Sequence, residues 1–188
     1  MLLMEKLKKS GQVPNALTWL RIGLFWVPGA IIMANPHNTG YRWWSVVAFL
    51  LIVATDKLDG VLARRWQQIT KLGQIIDPLA DKLLVLSLVV ALCAANILIS
   101  PWGWLFLAIN VARELYVTVL RWQRKHGEAN LIVPANEDGK RKMFLQSVGV
   151  GMALLPIPFW WWQLIIWIPL AVSLFYSLRS GEAYLKAK

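Results

Sequence analysis

Six apolar runs, each near the length of a bilayer-crossing helix, leave this chain few folds to adopt. They cover about 15–34, 43–65, 72–97, 104–124, 139–155 and 160–184. A helix needs about 20 apolar residues to cross the hydrocarbon core. Inside lipid every backbone N–H and C=O must find its partner within the protein, and helices do this within a single segment. The reading is therefore an all-α integral membrane protein: one domain over 1–188, with six transmembrane helices. Composition agrees, with 57% apolar residues, 16% charged residues and a mean hydropathy of +0.50, where soluble domains carry about 25% charged residues. The twelve Trp suit the boundary between lipid and water. The single cysteine, Cys93, stands within an apolar run and excludes an internal disulfide framework.

Basic residues set the orientation. Lys6, Lys8, Lys9 and Arg21 lie on the N-terminal side of the first run, and Arg64, Arg65 and Lys71 lie between the second and third. Arg124, Lys125, Lys140, Arg141 and Lys142 flank the connection between the fourth and fifth, and Arg179, Lys186 and Lys188 close the chain. The opposite ends carry only Arg42. The positive-inside rule puts both termini in the cytoplasm. Residues 1–12 read as an interfacial segment, with Leu3 and Leu7 on one face of a short amphipathic helix and Lys6 and Lys9 nearby. No small-residue cleavage site follows the first apolar run, so the expectation is a retained first span. The formal charge of +10 suits anionic lipid or an anionic substrate. No nucleic-acid-binding motif accompanies it, and nucleic acid is not expected as a partner.

Against this background, four aspartates beside the second and third runs are costly. Asp56 and Asp59 are three residues apart, and Gly60 and Ala63 follow on the same helical face. Gly73, Asp77 and Asp81 recur every four residues on the next run. A short polar turn joins the two runs, so they should pack antiparallel and bring four carboxylates to one depth near the cytoplasmic ends. Two like charges about 4–5 Å apart repel by several kcal/mol at an effective dielectric near 20. Ionisable groups in membrane segments mark functional sites by default. Oxygen-only ligands select hard cations such as Mg²⁺, Mn²⁺ or Ca²⁺, and the lack of nearby Cys or His disfavours zinc. Gly60, Ala63 and Gly73 remove bulk on the aspartate face, which allows close helix packing and leaves room for a ligand against the backbone. Pro78 should kink the third run or free a carbonyl.

The string Asp56-x-x-Asp59-Gly60-x-x-Ala63-Arg64, eight residues, Gly73-x-x-x-Asp77-x-x-x-Asp81 resembles the signature of the CDP-alcohol phosphotransferases at every fixed position. The resemblance extends to the six-span layout. It implies a membrane enzyme that uses a CDP-linked lipid, a homodimer, and one or two Mg²⁺ or Mn²⁺ ions held by Asp56, Asp59 and Asp77. Asp81 would also help to bind metal and act as general base. Gly60, Ala63, Arg64 and Gly73 would cradle the cytidine nucleotide and its diphosphate, with Thr70 as an additional polar contact. The implied place is the bacterial cytoplasmic membrane, among its lipids, with the active site facing the cytoplasm.

Two further segments bear on the acceptor. Asn15-Ala-Leu-Thr18-x-x-Arg21 with Pro28, and Ala112-Arg113-Glu114 with Arg121, Gly139-Lys140-x-Lys142 and Gln146, are similar to members of that family that join CDP-diacylglycerol to glycerol 3-phosphate. Met143 departs from them, standing where a small hydroxyl residue is common. Asn15 and Thr18 would contact the nucleotide, and Arg21 the acceptor. Arg113 and Arg121 are eight residues apart on the fourth run, and Lys140 and Lys142 open the fifth. Paired Arg donors and Lys point charges suit a phosphorylated acceptor. Phosphatidylglycerol and inositol phosphate are the alternative acceptors. An ion or proton carrier is the reading of a different class, but carriers place ionisable groups near the midplane.

Overall fold

A computed structural model describes residues 19–65, 71–126 and 137–186, with side chains at 19–57, 79–119 and 137–180. Among these residues all regular structure is helical. After a helical stretch at 19–24 come α1 (Val27–Ala34), α2 (Thr39–Arg65), α3 (Lys71–Ala94), α4 (Trp102–His126), α5 (Glu137–Leu154) and α6 (Trp160–Lys186). The expected segment 1–12, together with Asn15, Thr18 and Thr70, lies outside the described residues. One described helix, Trp160–Ser180, is long and apolar enough to cross a membrane by length and composition, and Trp19–Ala34 is a shorter apolar helical stretch. Contacts divide the chain into two compact units, Met1–Ala91 and Leu92–Lys188.

In the first unit, the first apolar run is broken rather than continuous: a turn at 25–26 separates 19–24 from α1. Pro28, at the start of α1, has no N–H to continue the ladder but suits a helix start. Side chains take up the carbonyls at the break. Trp26 Nε1 donates to Gly23 O at 2.8 Å, and Ser87 Oγ of α3 donates to Phe25 O at 3.2 Å. Ser45 Oγ of α2, fully buried, donates to Pro28 O at 2.7 Å and ties α2 to α1. Asn38 starts α2, its Oδ1 accepting from the backbone N–H groups of Gly40 at 2.8 Å and Tyr41 at 3.3 Å. Gly29 keeps α1 close to α3, since a Cβ there would stand 3.2 Å from Ala91 Cβ. Ile32, Phe49, Ala80, Leu84 and Leu88 are buried.

The second unit begins at Leu92, in the last turn of α3, which stops at Ala94, three residues before the sequence-based boundary of 97. Asn96 adopts a left-handed φ of 53°. Ile97 N–H then reaches Leu92 O at 2.9 Å and Asn96 N–H reaches Cys93 O at 3.0 Å, closing the helix end. The chain turns into α4 at Gly103, where a Cβ would meet Cys93 Sγ at 2.8 Å, so a side chain there would force a shift. Glu137 and Asp138 open α5, the end where the helix dipole favours negative charge. Further along α5, Gly149 faces Leu170 of α6, whose Cγ a Cβ would approach to 2.8 Å. Gln163 Nε2 of α6 donates to Ile97 O at 2.9 Å. Leu154, Val150, Ile166 and Leu170 are buried.

Much apolar surface nonetheless faces outward. Trp43 and Trp44 stand exposed at the start of α2, Trp102 and Trp104 at the start of α4, and Phe159, Trp160 and Trp161 at the start of α6. Leu50, Leu51, Leu115, Leu164, Ile168 and Phe175 are exposed further along the same helices. Apolar side chains exposed in such number suit a non-aqueous neighbour.

Candidate active site

Helix α2 is unbroken across positions 56, 59, 60, 63 and 64, and α3 across 73, 77 and 81, so the spacing expected from the sequence is helical throughout. The side chains of Asp59, Ala63, Arg64 and Asp77 lie outside the described residues, as do the surroundings of Gly60 and Gly73 and the kink expected at Pro78. Asp56 and Asp81 are described, and they come together. Arg21 Nη1 lies 2.5 Å from Asp56 Oδ1 and 3.1 Å from Asp81 Oδ1. One nitrogen thus joins carboxylates from two helices whose positions are 25 residues apart in sequence. The Arg21 side chain is 1% exposed, whereas those of Asp56 and Asp81 are 37% and 40% exposed. The sequence grouped Arg21 with the acceptor contacts. In the structure its guanidinium is drawn to the carboxylates, as Coulomb attraction in a sparsely hydrated setting favours.

Among the described residues no group of three His, Cys, Asp or Glu side chains is placed to hold a metal ion. The pair that is described suits a hard divalent cation: oxygen donors only, partly open to solvent, and two negative charges against one guanidinium.

A second charged cluster lies in the other unit. Glu114 Oε1 accepts from Lys142 Nζ at 2.5 Å and from Arg113 Nη1 at 2.9 Å. Arg113 also donates through Nε to Ser177 O at 3.2 Å and through Nη2 to Ser180 Oγ. One turn along α4 from Glu114, Asn110 Oδ1 accepts from Gln146 Nε2 at 2.6 Å. Stepping down α4 from Glu114 to Asn110 moves up α5 from Lys142 to Gln146, the register that antiparallel helices require. These groups are enclosed: Lys142 is 2% exposed, Arg113 12% and Glu114 14%. Arg113 and Lys142, expected at an acceptor phosphate, are hydrogen-bonded within this network. Lys140 is at the surface, 3.1 Å from Glu137. The side chain of Arg121 lies outside the described residues.

Sequence reasoning singled out Glu114 only as a neighbour of Arg113 and missed it as a hub. The signal was present, because 110 and 114 on α4 and 142 and 146 on α5 are two polar pairs, each spaced four apart in apolar helices.

Comparison with known proteins follows the same lines. Residues 11–175 match the family model of the CDP-alcohol phosphatidyltransferases. A probable phosphatidylglycerophosphate synthase of Mycobacterium tuberculosis is 37% identical over 147 residues, covering 76% of this chain and 66% of the relative. The chain therefore spans just under two thirds of that relative's length. A CDP-diacylglycerol–glycerol-3-phosphate 3-phosphatidyltransferase of Pseudomonas fluorescens is 34% identical over 178 residues, covering 93% of this chain and 89% of the relative. The Escherichia coli K12 protein of the same name is 31% identical over 187 residues, covering 93% of each chain.

Proposed function

The chain belongs to the CDP-alcohol phosphatidyltransferase family, and we propose that it transfers a phosphatidyl group from CDP-diacylglycerol to glycerol 3-phosphate, forming phosphatidylglycerophosphate and releasing CMP. The observation that carries this reading is the meeting of Asp56 and Asp81, the outermost aspartates of a fully matched signature, on one guanidinium. The names of the relatives support the choice of acceptor.

In this reading Asp56, Asp59, Asp77 and Asp81 hold Mg²⁺ or Mn²⁺. Bound there, a divalent ion would neutralise the diphosphate and stabilise the departing CMP. Asp81 accepts the proton of the glycerol 3-phosphate hydroxyl as that oxygen attacks the lipid-side phosphorus, and the bond to the CMP oxygen breaks. Gly60, Ala63 and Gly73 give the nucleotide close access to the helix backbones, and Arg64, Thr70, Asn15 and Thr18 bind its polar groups. Most of the acceleration comes from positioning and electrostatics, as in other phosphoryl transfers.

The acceptor phosphate is met by Lys140 and Arg121, with Arg113 and Lys142 adding fixed positive charge from the network around Glu114. Among the described residues that network joins two cations to Glu114, a balance that suits an anion. The protein crosses the bacterial cytoplasmic membrane six times as a homodimer, with both termini and the active site on the cytoplasmic side. The excess of Lys and Arg on one set of helix ends supports this orientation, and the exposed aromatic residues at the starts of α2, α4 and α6 suit a boundary between lipid and water.

The test is an acceptor assay on purified protein with CDP-diacylglycerol, Mn²⁺ or Mg²⁺ and radiolabelled glycerol 3-phosphate. Labelled phosphatidylglycerophosphate and stoichiometric CMP are expected. CMP release with phosphatidylglycerol or inositol phosphate, and none with glycerol 3-phosphate, would reassign the acceptor within the family.

A further inference from the structure

We propose that Arg21 is a positioning residue for the metal site: a buried guanidinium that aims Asp56 and Asp81 outward from behind. The inference rests on the reading of these aspartates as metal ligands. Its basis is the order of the groups from inside to outside. The Arg21 side chain is 1% exposed, and the carboxylates that it joins are 37% and 40% exposed. The guanidinium is therefore the most deeply enclosed of the three groups, and the two acids are the ones that solvent reaches. A cation arriving from solvent meets carboxylate oxygen before it meets Arg21.

Arg21 Nη1 meets each acid at an Oδ1 atom. An ionised carboxylate has about four lone-pair sites over its two oxygens, so accepting from a guanidinium does not by itself exhaust an acid. Without a cation behind them, two carboxylates about 4–5 Å apart repel by roughly 4 kcal/mol at an effective dielectric near 20. Arg21 offsets that repulsion before any ion binds, and it does so across two helices. Its planar, fixed fork sets direction as well as charge, which a lysine ammonium does not. Hydrogen-bond partners of metal ligands typically contribute about 10–100-fold to metal affinity. The opposite role, in which Arg21 occupies the ion's own place and must be displaced, would require an enclosed side chain to leave its position at each loading.

The two roles differ in sign. Mn²⁺ binding is measured by the loss of the free-ion electron paramagnetic resonance signal, on full-length protein in detergent without lipid substrate. Arg21→Gln should weaken Mn²⁺ binding about 10–100-fold, with its thermal unfolding in chelator close to that of the wild type. Transferase activity of the variant should recover toward wild type as Mn²⁺ or Mg²⁺ is raised, so that the loss appears in the metal half-saturation rather than in kcat. Unchanged or tighter Mn²⁺ binding would overturn the proposal. If Arg21→Gln does not fold, Arg21→Lys provides the same comparison: weaker binding supports the aiming role, and wild-type binding overturns it. A wild-type protein that binds no Mn²⁺, or whose binding survives Asp56→Asn with Asp81→Asn, would instead sink the metal-site reading on which the inference stands.

Discussion

In the unit Met1–Ala91 one buried guanidinium, Arg21, joins two half-exposed carboxylates. In the unit Leu92–Lys188 one carboxylate, Glu114, joins two enclosed cations. The ingredients are the same, and the charge balance and exposure are reversed. The first cluster keeps negative charge at a surface that water and ions reach. The second keeps positive charge inside a bundle of helices, with its donors directed to Glu114, Ser177 and Ser180. Exposed carboxylates can exchange partners and do chemistry. Enclosed groups that lose a partner are left without water to replace it. The comparison therefore assigns turnover mainly to the first cluster and fold integrity mainly to the second.

The largest expected effect tests the first half of that assignment. Asp81→Asn keeps shape and removes the base, and general-base catalysis contributes about 10²–10⁴-fold. CMP release should fall by at least that range, while the unfolding temperature in detergent stays near wild type because the site is partly open. Retained turnover would refute the base role. A collapsed fold would show that the first cluster is as structural as the second.

Next in size is Glu114→Ala, which removes the carboxylate that two enclosed cations share. Removing one partner of a buried ion pair costs about 3–5 kcal/mol. A loss of that order in denaturant titration is expected, with inactivity following from misfolding. Near-wild-type stability with impaired glycerol 3-phosphate use would move Glu114, Arg113 and Lys142 into the acceptor site itself.

The two clusters were not equally legible in the sequence. Asp56 and Asp81 stood out because charge is scarce in apolar runs and because their helical spacing is regular. The positions of the helices were legible for the same reason, since runs of apolar length have few alternatives. The sequence did not show the break at 25–26, because the apolar run is continuous across it and Pro28 was read only as part of a resembling segment. The end of α3 was missed because a left-handed Asn96 depends on closure by Leu92 and Cys93 carbonyls. Arg21 and Lys142 were read by resemblance and by charge, and charge matches a phosphate and a carboxylate equally well. Which anion a cation meets is decided by packing, and packing places Glu114 one turn from Asn110, facing α5.

The ladder from Lys142 to Gln146 continues on α5 to Gly149, whose missing side chain lets α5 approach Leu170 of α6. Gly149→Val should cost about 1–3 kcal/mol through overpacking. Loss of stability without a change in the metal half-saturation of the folded fraction would sharpen the separation between the clusters. A shifted metal half-saturation would break it.

The smallest effect is expected at Lys140, which separates fixed charge from usable charge within the basic set. Lys140 is 67% exposed and 3.1 Å from Glu137 at 72%. Surface pairs of this kind contribute about 0–1 kcal/mol, so Lys140→Ala should leave stability within that range. An exposed ammonium that meets the acceptor phosphate is a point charge in water, and its removal should raise KM for glycerol 3-phosphate several-fold with kcat nearly unchanged. The KM effect should shrink as salt is added, because screening acts on exposed charges first. The enclosed Lys142 offers the contrast: Lys142→Ala leaves Glu114 short of a cation and should cost stability, whatever the salt. If instead Lys140→Ala leaves KM untouched at low salt, the acceptor phosphate is met elsewhere in the basic set, and Arg121 becomes the residue to test.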